Sequence, residues 1–111
     1  MNGRAALFVL ALCGFGQAAE AESYVDRVNV QPIRLYVKDE RGHAVVTITN
    51  NSSEILDIDV SCTFFMGEAK VGMGSNSVAR LPPRRSDTIE VTERLTQRLD
   101  TVRCTVSNAQ R

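Results

Sequence analysis

The strongest constraint on this chain is a two-residue alternation between Leu56 and Phe64. Leu56, Ile58, Val60, Cys62 and Phe64 are apolar, with Asp57, Asp59, Ser61 and Thr63 between them. Successive side chains of a strand point to opposite faces, so this run has one face for a core and one for water. A helix would spread the same residues around its circumference. The run therefore predicts a half-buried strand of an antiparallel sheet.

The same period recurs along the chain. Ile33, Leu35 and Val37 alternate with Arg34, Tyr36 and Lys38, and Ala44, Val46 and Ile48 lie opposite Thr47 and Thr49. Ile89 and Val91 alternate with Thr88, Glu90 and Thr92, and Val102, Cys104 and Val106 with Thr101, Arg103, Thr105 and Ser107. Turn-forming clusters separate these runs: Asp39-Glu40-Arg41-Gly42, Asn50 to Glu54, Met66-Gly67-Glu68-Ala69, Gly74-Ser75-Asn76-Ser77, and Pro82-Pro83-Arg84-Arg85-Ser86. The Gly74 to Ser77 cluster predicts a break between one strand at Val71 and Met73 and another at Val78 and Leu81. Pro32 lacks a ladder donor and assigns the stretch around Val28 and Val30 to an edge or a strand switch. Thr92 as N-cap and the Leu95/Leu99 pair predict a single helical turn within Glu93 to Asp100. The expected fold is all-β: a single immunoglobulin-like antiparallel β-sandwich of about seven strands. The chain has no Trp, and Val rather than Tyr precedes the second strand cysteine by two, so the likeness is one of architecture.

Residues 1–21 read as a secretory signal peptide. Arg4 supplies a positive start, Ala5 to Leu12 is unbroken apolar sequence, and Ala19-Glu20-Ala21 fits the small-residue cleavage rule. The apolar run is too short to span a bilayer. The mature domain is expected over residues 22–111, in the periplasm or secreted. Cys13 raises lipidation, but Leu12 stands where that signal needs a small residue. Membrane attachment is thus expected only if Cys13 is lipidated, and the favoured reading makes it an apolar residue of the leader.

Cys62 and Cys104 remain after the leader. Two cysteines in an exported chain favour a disulfide. The bridge closes a loop of about 42 residues, which the chain-entropy model values at about 4 kcal/mol. Both fall on inward strand faces, and the period leaves open whether they bridge two layers or neighbouring strands. A catalytic redox pair is normally close in sequence and exposed near a helix start, so the structural bond is preferred.

The remaining residues give little chemistry. The 13 basic and 13 acidic residues cancel, which gives no global attraction to nucleic acid or anionic membrane. The halves differ: five basic and eight acidic residues from Glu22 to Lys70, seven and four from Val71 to Arg111. His43 is the lone histidine, and with no spare cysteine no zinc shell can be completed. Asp57 and Asp59 share a strand face and could help hold a cation, though a solvent face explains them more simply. Gly72-Met73-Gly74-Ser75-Asn76-Ser77 lacks both the third glycine of a dinucleotide loop and the lysine of a phosphate loop. Arg80, Arg84 and Arg85 surround the double proline and suit a carboxylate or an acidic polymer, with a solvated loop as the default. Asn50-Asn51-Ser52 and Asn51-Ser52-Ser53 both match the glycosylation sequon.

Three resemblances extend this. Gln31-Pro32-Ile33-Arg34-Leu35 through Ala44 to Ser52 resembles the opening of periplasmic pilus chaperones. That resemblance implies a carboxylate-anchoring role for Arg34, although the family's second domain and partnering lysine have no counterpart here. Cys62 to Cys104, with Phe64, Gly67, Leu81-Pro82, Ser86 and Val102-Arg103-Cys104, resembles small exported proteins of Gram-negative bacteria that have no assigned role. In size and architecture the chain is also similar to curli-assembly chaperones. The expectation is a non-enzymatic envelope binding or assembly module, chaperone-like or an adaptor, without cofactor or metal. Its expected partner is another exported protein, met through a sheet edge, Arg34, or the Arg80, Arg84 and Arg85 loop. The alternatives are a small ligand- or metal-binding periplasmic protein, or a thiol-redox protein using Cys62 and Cys104.

Overall fold

The structure, a computed structural model, describes residues 23–95 and 98–111. The signal peptide expected over residues 1–21, Cys13 included, lies outside them, as do Thr96 and Gln97 of the expected helical turn. Six strands are present among the described residues: β1 (Val28–Lys38), β2 (Arg41–Asn50), β3 (Leu56–Met66), β4 (Ala69–Leu81), β5 (Ser86–Arg94) and β6 (Thr101–Gln110). A 3-10 turn over Val25–Arg27 leads into β1. The strands form two antiparallel three-stranded sheets, one in the order β1-β2-β5 and the other β4-β3-β6. The expected all-β sandwich with one disulfide is the fold observed.

The alternation that predicted β3 also builds the core. Leu56, Ile58, Val60, Cys62 and Phe64 are fully buried, and they face Ala44, Val46 and Ile48 of β2 and Val91 of β5. Each fully buried aliphatic or aromatic side chain contributes about 1.5–3 kcal/mol. The central strands β2 and β3 therefore carry most of the apolar burial, and β1, β4, β5 and β6 are edges.

Six strands rather than about seven result from one misread break. Gly74 to Ser77 does not turn the chain: β4 runs straight through it. Gly72 and Gly74 sit opposite Phe64 and Cys62 on the inner face, where β4 crosses close over β5. A Cβ on Gly74 would lie 2.8 Å from the Thr92 carbonyl oxygen, and one on Gly72 would lie 3.1 Å from a Leu95 methyl. These glycines permit close approach of two strands, a need that in sequence looks the same as a turn.

Other punctuation acts as expected. Pro32 lies in edge strand β1, beside a register shift between Pro32 and Arg34. Asp39 and Glu40 form the two-residue β1–β2 hairpin with φ of 54° and 63°, the left-handed pair a primed turn requires. Gly67, at φ 61°, turns β3 into β4. The Glu93 to Asp100 segment begins as strand, since β5 continues through Arg94. Leu95 and Leu99 then pack over Gly42 beside Phe64 and cover that end of the core.

Candidate functional site

The disulfide joins two neighbouring strands of one sheet. Cys62 and Cys104 are direct partners in the β3–β6 register, with Cα atoms 4.0 Å apart. So short a separation marks a non-hydrogen-bonded pair, in which the backbone N–H and C=O of both residues point away from the partner strand. For Cys104 that direction is the outer edge of the sheet. Cys62 is fully buried and Cys104 half-buried.

Arg34 is drawn into a four-residue cluster on the outer face of the β1-β2-β5 sheet. Register shift and strand pairing put Arg34 opposite Val45, Tyr36 opposite His43, and Glu90 opposite Val45 from the other side. The Arg34 guanidinium lies 4.7 Å from the Tyr36 ring centre. Tyr36 stacks on His43 with centres 4.6 Å apart and planes 4° from parallel. The Tyr36 hydroxyl donates to the Glu90 carboxylate. That hydrogen bond, then burial and the Glu90 charge, holds the Tyr36 phenol above its ordinary pKa of 10.0, against the opposing Arg34 charge. His43 Nδ1 is 3.3 Å from the same carboxylate, yet makes no hydrogen bond. The two groups are close but not aligned for a hydrogen bond.

Arg80, Arg84 and Arg85 lie elsewhere, at the β4–β5 connection. Their backbones are structural. Arg80 N donates to Asp57 Oδ1 at 2.8 Å, Arg84 N to the Asn50 carbonyl at 2.8 Å, and Asn50 N to the Arg85 carbonyl at 2.9 Å. Arg80 and Arg84 have φ of 56° and 62°. The Arg84 guanidinium donates to the Asn51 carbonyl, and the three side chains are exposed. Arg34 pairs with Val45, five residues along β2 from Asn50, which is roughly 17 Å at strand rise. The four candidate arginines thus form two separate places.

Between β4 and β5 an unforeseen latch holds that connection. Asn50 is fully buried, and its Nδ2 donates to the carbonyls of Glu54, Leu81 and Pro82 at 2.8, 2.9 and 3.2 Å. Its Oδ1 accepts from Ser52 N at 2.9 Å and Ser52 Oγ at 2.7 Å. Of the two sequon asparagines, Asn50 is therefore enclosed by the fold, and Asn51 is exposed. Asp57 and Asp59 are likewise engaged with β4, Asp59 accepting from Ser77 Oγ at 2.6 Å. Among the described residues, no three His, Cys, Asp or Glu side chains group to hold a metal ion, and no helix is long and apolar enough to cross a membrane.

The two flanks of the sandwich differ. At β4 and β5 the glycines let the sheets close, and Asn76 Nδ2 donates across the flank to the Glu90 carbonyl at 2.8 Å. At β1 and β6 the two strands also lie close to each other, and their inward residues are packed against the core but not fully buried. Val28, Val30, Leu35 and Val37 pair with buried partners in β2, and Val102, Cys104 and Val106 with buried partners in β3. All are only half-buried except Val37, which is 55% exposed. The strands bordering this flank carry Arg34, Lys38 and Arg103 and no acidic residue. Sequence marks these positions as apolar and inward; that they lie at a flank of the sandwich depends on which strands are edges.

The class defined by these features is a disulfide-stapled β-sandwich, six-stranded among the described residues, with an edge strand on each side of both sheets. No family model matches the chain, and neither a curated protein nor a solved structure does.

Proposed function

We propose that the protein is an exported, non-enzymatic binding or assembly module of the cell envelope that acts in the periplasm through a sheet edge. The observation that carries this reading is the outer edge of β6, where Val102, Cys104 and Val106 turn their backbone N–H and C=O groups away from β3. Half-buried Val102 and Val106 lie along that edge, and sheet edges are the usual place for one chain to add a strand to another. The signal-peptide pattern and the disulfide support an oxidising compartment outside the cytoplasm. The resemblance to pilus chaperones and to curli-assembly chaperones points the same way. On that resemblance Arg34 would be an anchor for a partner carboxylate; apart from it, the loop of Arg80, Arg84 and Arg85 would be a second contact.

The test is cross-linking in the envelope. A tagged protein, expressed from its own leader and carrying a photoreactive residue at position 37, is irradiated in living cells and recovered under denaturing conditions. A discrete adduct with one exported protein, absent when the probe is moved to position 76 on the β4/β5 flank, is the expected result. Recovery of the protein in the cytoplasm, or no adduct from any exposed edge, would overturn the reading.

A further inference from the structure

We infer that Asn76, Asp87 and Glu93 shut the free edge of β5 against pairing with a second copy of this chain. The inference stands apart from any partner at β6. Strand β5 is an edge in the order β1-β2-β5, and Thr88-Ile89-Glu90-Val91-Thr92 is strand-forming sequence without proline or glycine. Such an edge is a template for the same edge of another molecule unless something blunts it. The N–H and C=O of one residue point to the same side of a strand, and the side alternates. Arg85 and Leu95 turn theirs toward β2 and the β1–β2 hairpin, since the Arg85 carbonyl accepts from Asn50 N at 2.9 Å and Leu95 N donates to the Glu40 carbonyl at 3.0 Å. Thr88, Glu90, Thr92 and Arg94, of the other parity, therefore present the outer edge.

The molecule's own side chains occupy that edge. Asp87 Oδ1 accepts from Thr88 N at 2.8 Å, and Glu93 Oε1 from Arg94 N at 3.1 Å. Asn76 reaches over from β4: its Nδ2 donates to the Glu90 carbonyl at 2.8 Å while its Oδ1 accepts from Ser77 N at 2.8 Å. One amide thus engages a backbone group on each side of the flank. Strand β4 covers the Thr92 carbonyl as well, since a Cβ on Gly74 would lie 2.8 Å from its oxygen. The positions of the three residues strengthen the case. Register sets Asp87 beside Ile48, Glu93 beside Gly42 and Asn76 beside Val60, all three neighbours buried. These are inward places, where the alternation calls for apolar residues, and inward polar or charged residues on an edge strand are a means of preventing edge-to-edge pairing. A second copy must displace these side chains before it can pair, so the backbone hydrogen bonds it gains are offset by those lost.

The test is sedimentation velocity of the purified protein, disulfide intact, over a wide concentration range. The combined variant Asn76→Ala, Asp87→Ala and Glu93→Ala should self-associate at least about tenfold more tightly than the unaltered protein. In the associated form, hydrogen exchange at the Thr88, Glu90 and Thr92 amides should slow. Asp87→Asn with Glu93→Gln removes both charges but keeps both acceptor oxygens, and should sediment like the unaltered protein. That pair separates blocking of the backbone from charge repulsion. A second measurement decides the matter should the alanine variant not fold. In the unaltered protein the Thr88 and Arg94 amides should exchange at least about threefold more slowly than those of Glu90 and Thr92 on the same edge. Four results would each overturn the inference: an alanine variant that associates no more tightly, association of the Asn/Gln variant as strong as that of the alanine variant, equal exchange at the four amides, or an unaltered protein already paired through β5.

Discussion

Asn50 shows how much one side chain can hold at the residue scale. Its amide donates to three carbonyls from two segments and accepts twice from Ser52, so the β2–β3 loop and the β4–β5 connection share a single anchor. Leaving buried carbonyls without donors costs about 1–3 kcal/mol each. Asn50→Asp keeps the volume but cannot donate from the replaced nitrogen. It is expected to destabilise by about 3 kcal/mol in urea denaturation, while Asn51→Asp stays near neutral. Tyr36 gives a second residue-scale expectation. Its phenol pKa is raised above 10.0 by Glu90. A raised tyrosine pKa means the fold favours the neutral phenol. The contribution is therefore fully present below pH 10 and lost as pH climbs through the folded-state value. Absorbance titration should show one tyrosine ionising later than normal. Tyr36→Phe should remove that step, and Glu90→Gln should move it down. Neither arrangement was legible in the linear sequence. Asn50 reads there as a sequon or a turn former, and Tyr36, His43 and Glu90 become neighbours of Arg34 only through the register of three strands.

Elements were far more legible, because period two is a property of each strand alone. The alternations at Leu56–Phe64 and Val102–Val106 placed both cysteines inward before any pairing was known. What period could not supply was which strands are edges and whether a glycine turns or yields. Gly74 yields: its missing side chain is what lets β4 approach Thr92. Gly74→Ala must displace backbone rather than a side-chain tip, so a loss of about 1–3 kcal/mol is expected. Gly67→Ala, by contrast, meets no atom and incurs only the cost of its positive φ. Strand β6 makes a sharper prediction. Thr101, Arg103 and Thr105 should turn their N–H groups into the β3 ladder, and Val102, Cys104 and Val106 away from it. Hydrogen exchange should then alternate along the strand, slow at 101, 103 and 105 and fast at 102, 104 and 106. Uniform protection would mean that another strand occupies the edge, and uniform exchange would mean that β6 frays from β3.

At the scale of the whole molecule, the two flanks are built differently, and the disulfide sits at the β1/β6 one. It ties edge strand β6 to central strand β3, so that edge is pinned to the core. The loop it closes contributes about 4 kcal/mol in the chain-entropy model, a large share of what a domain this small can hold in reserve. The bond forms only where thiols are oxidised, so stability and location are one question for this chain. Intact mass, taken on protein recovered from cells with and without reductant, answers it. A chain beginning at Glu22, gaining two hydrogens only when reductant is combined with denaturant, is expected, because Cys62 is enclosed in the core. Ready reduction of the native protein would instead support thiol exchange at the half-buried Cys104. A lipid-bearing mass beginning at Cys13 would place the domain at a membrane surface, where the proposed partner would have to be membrane-associated.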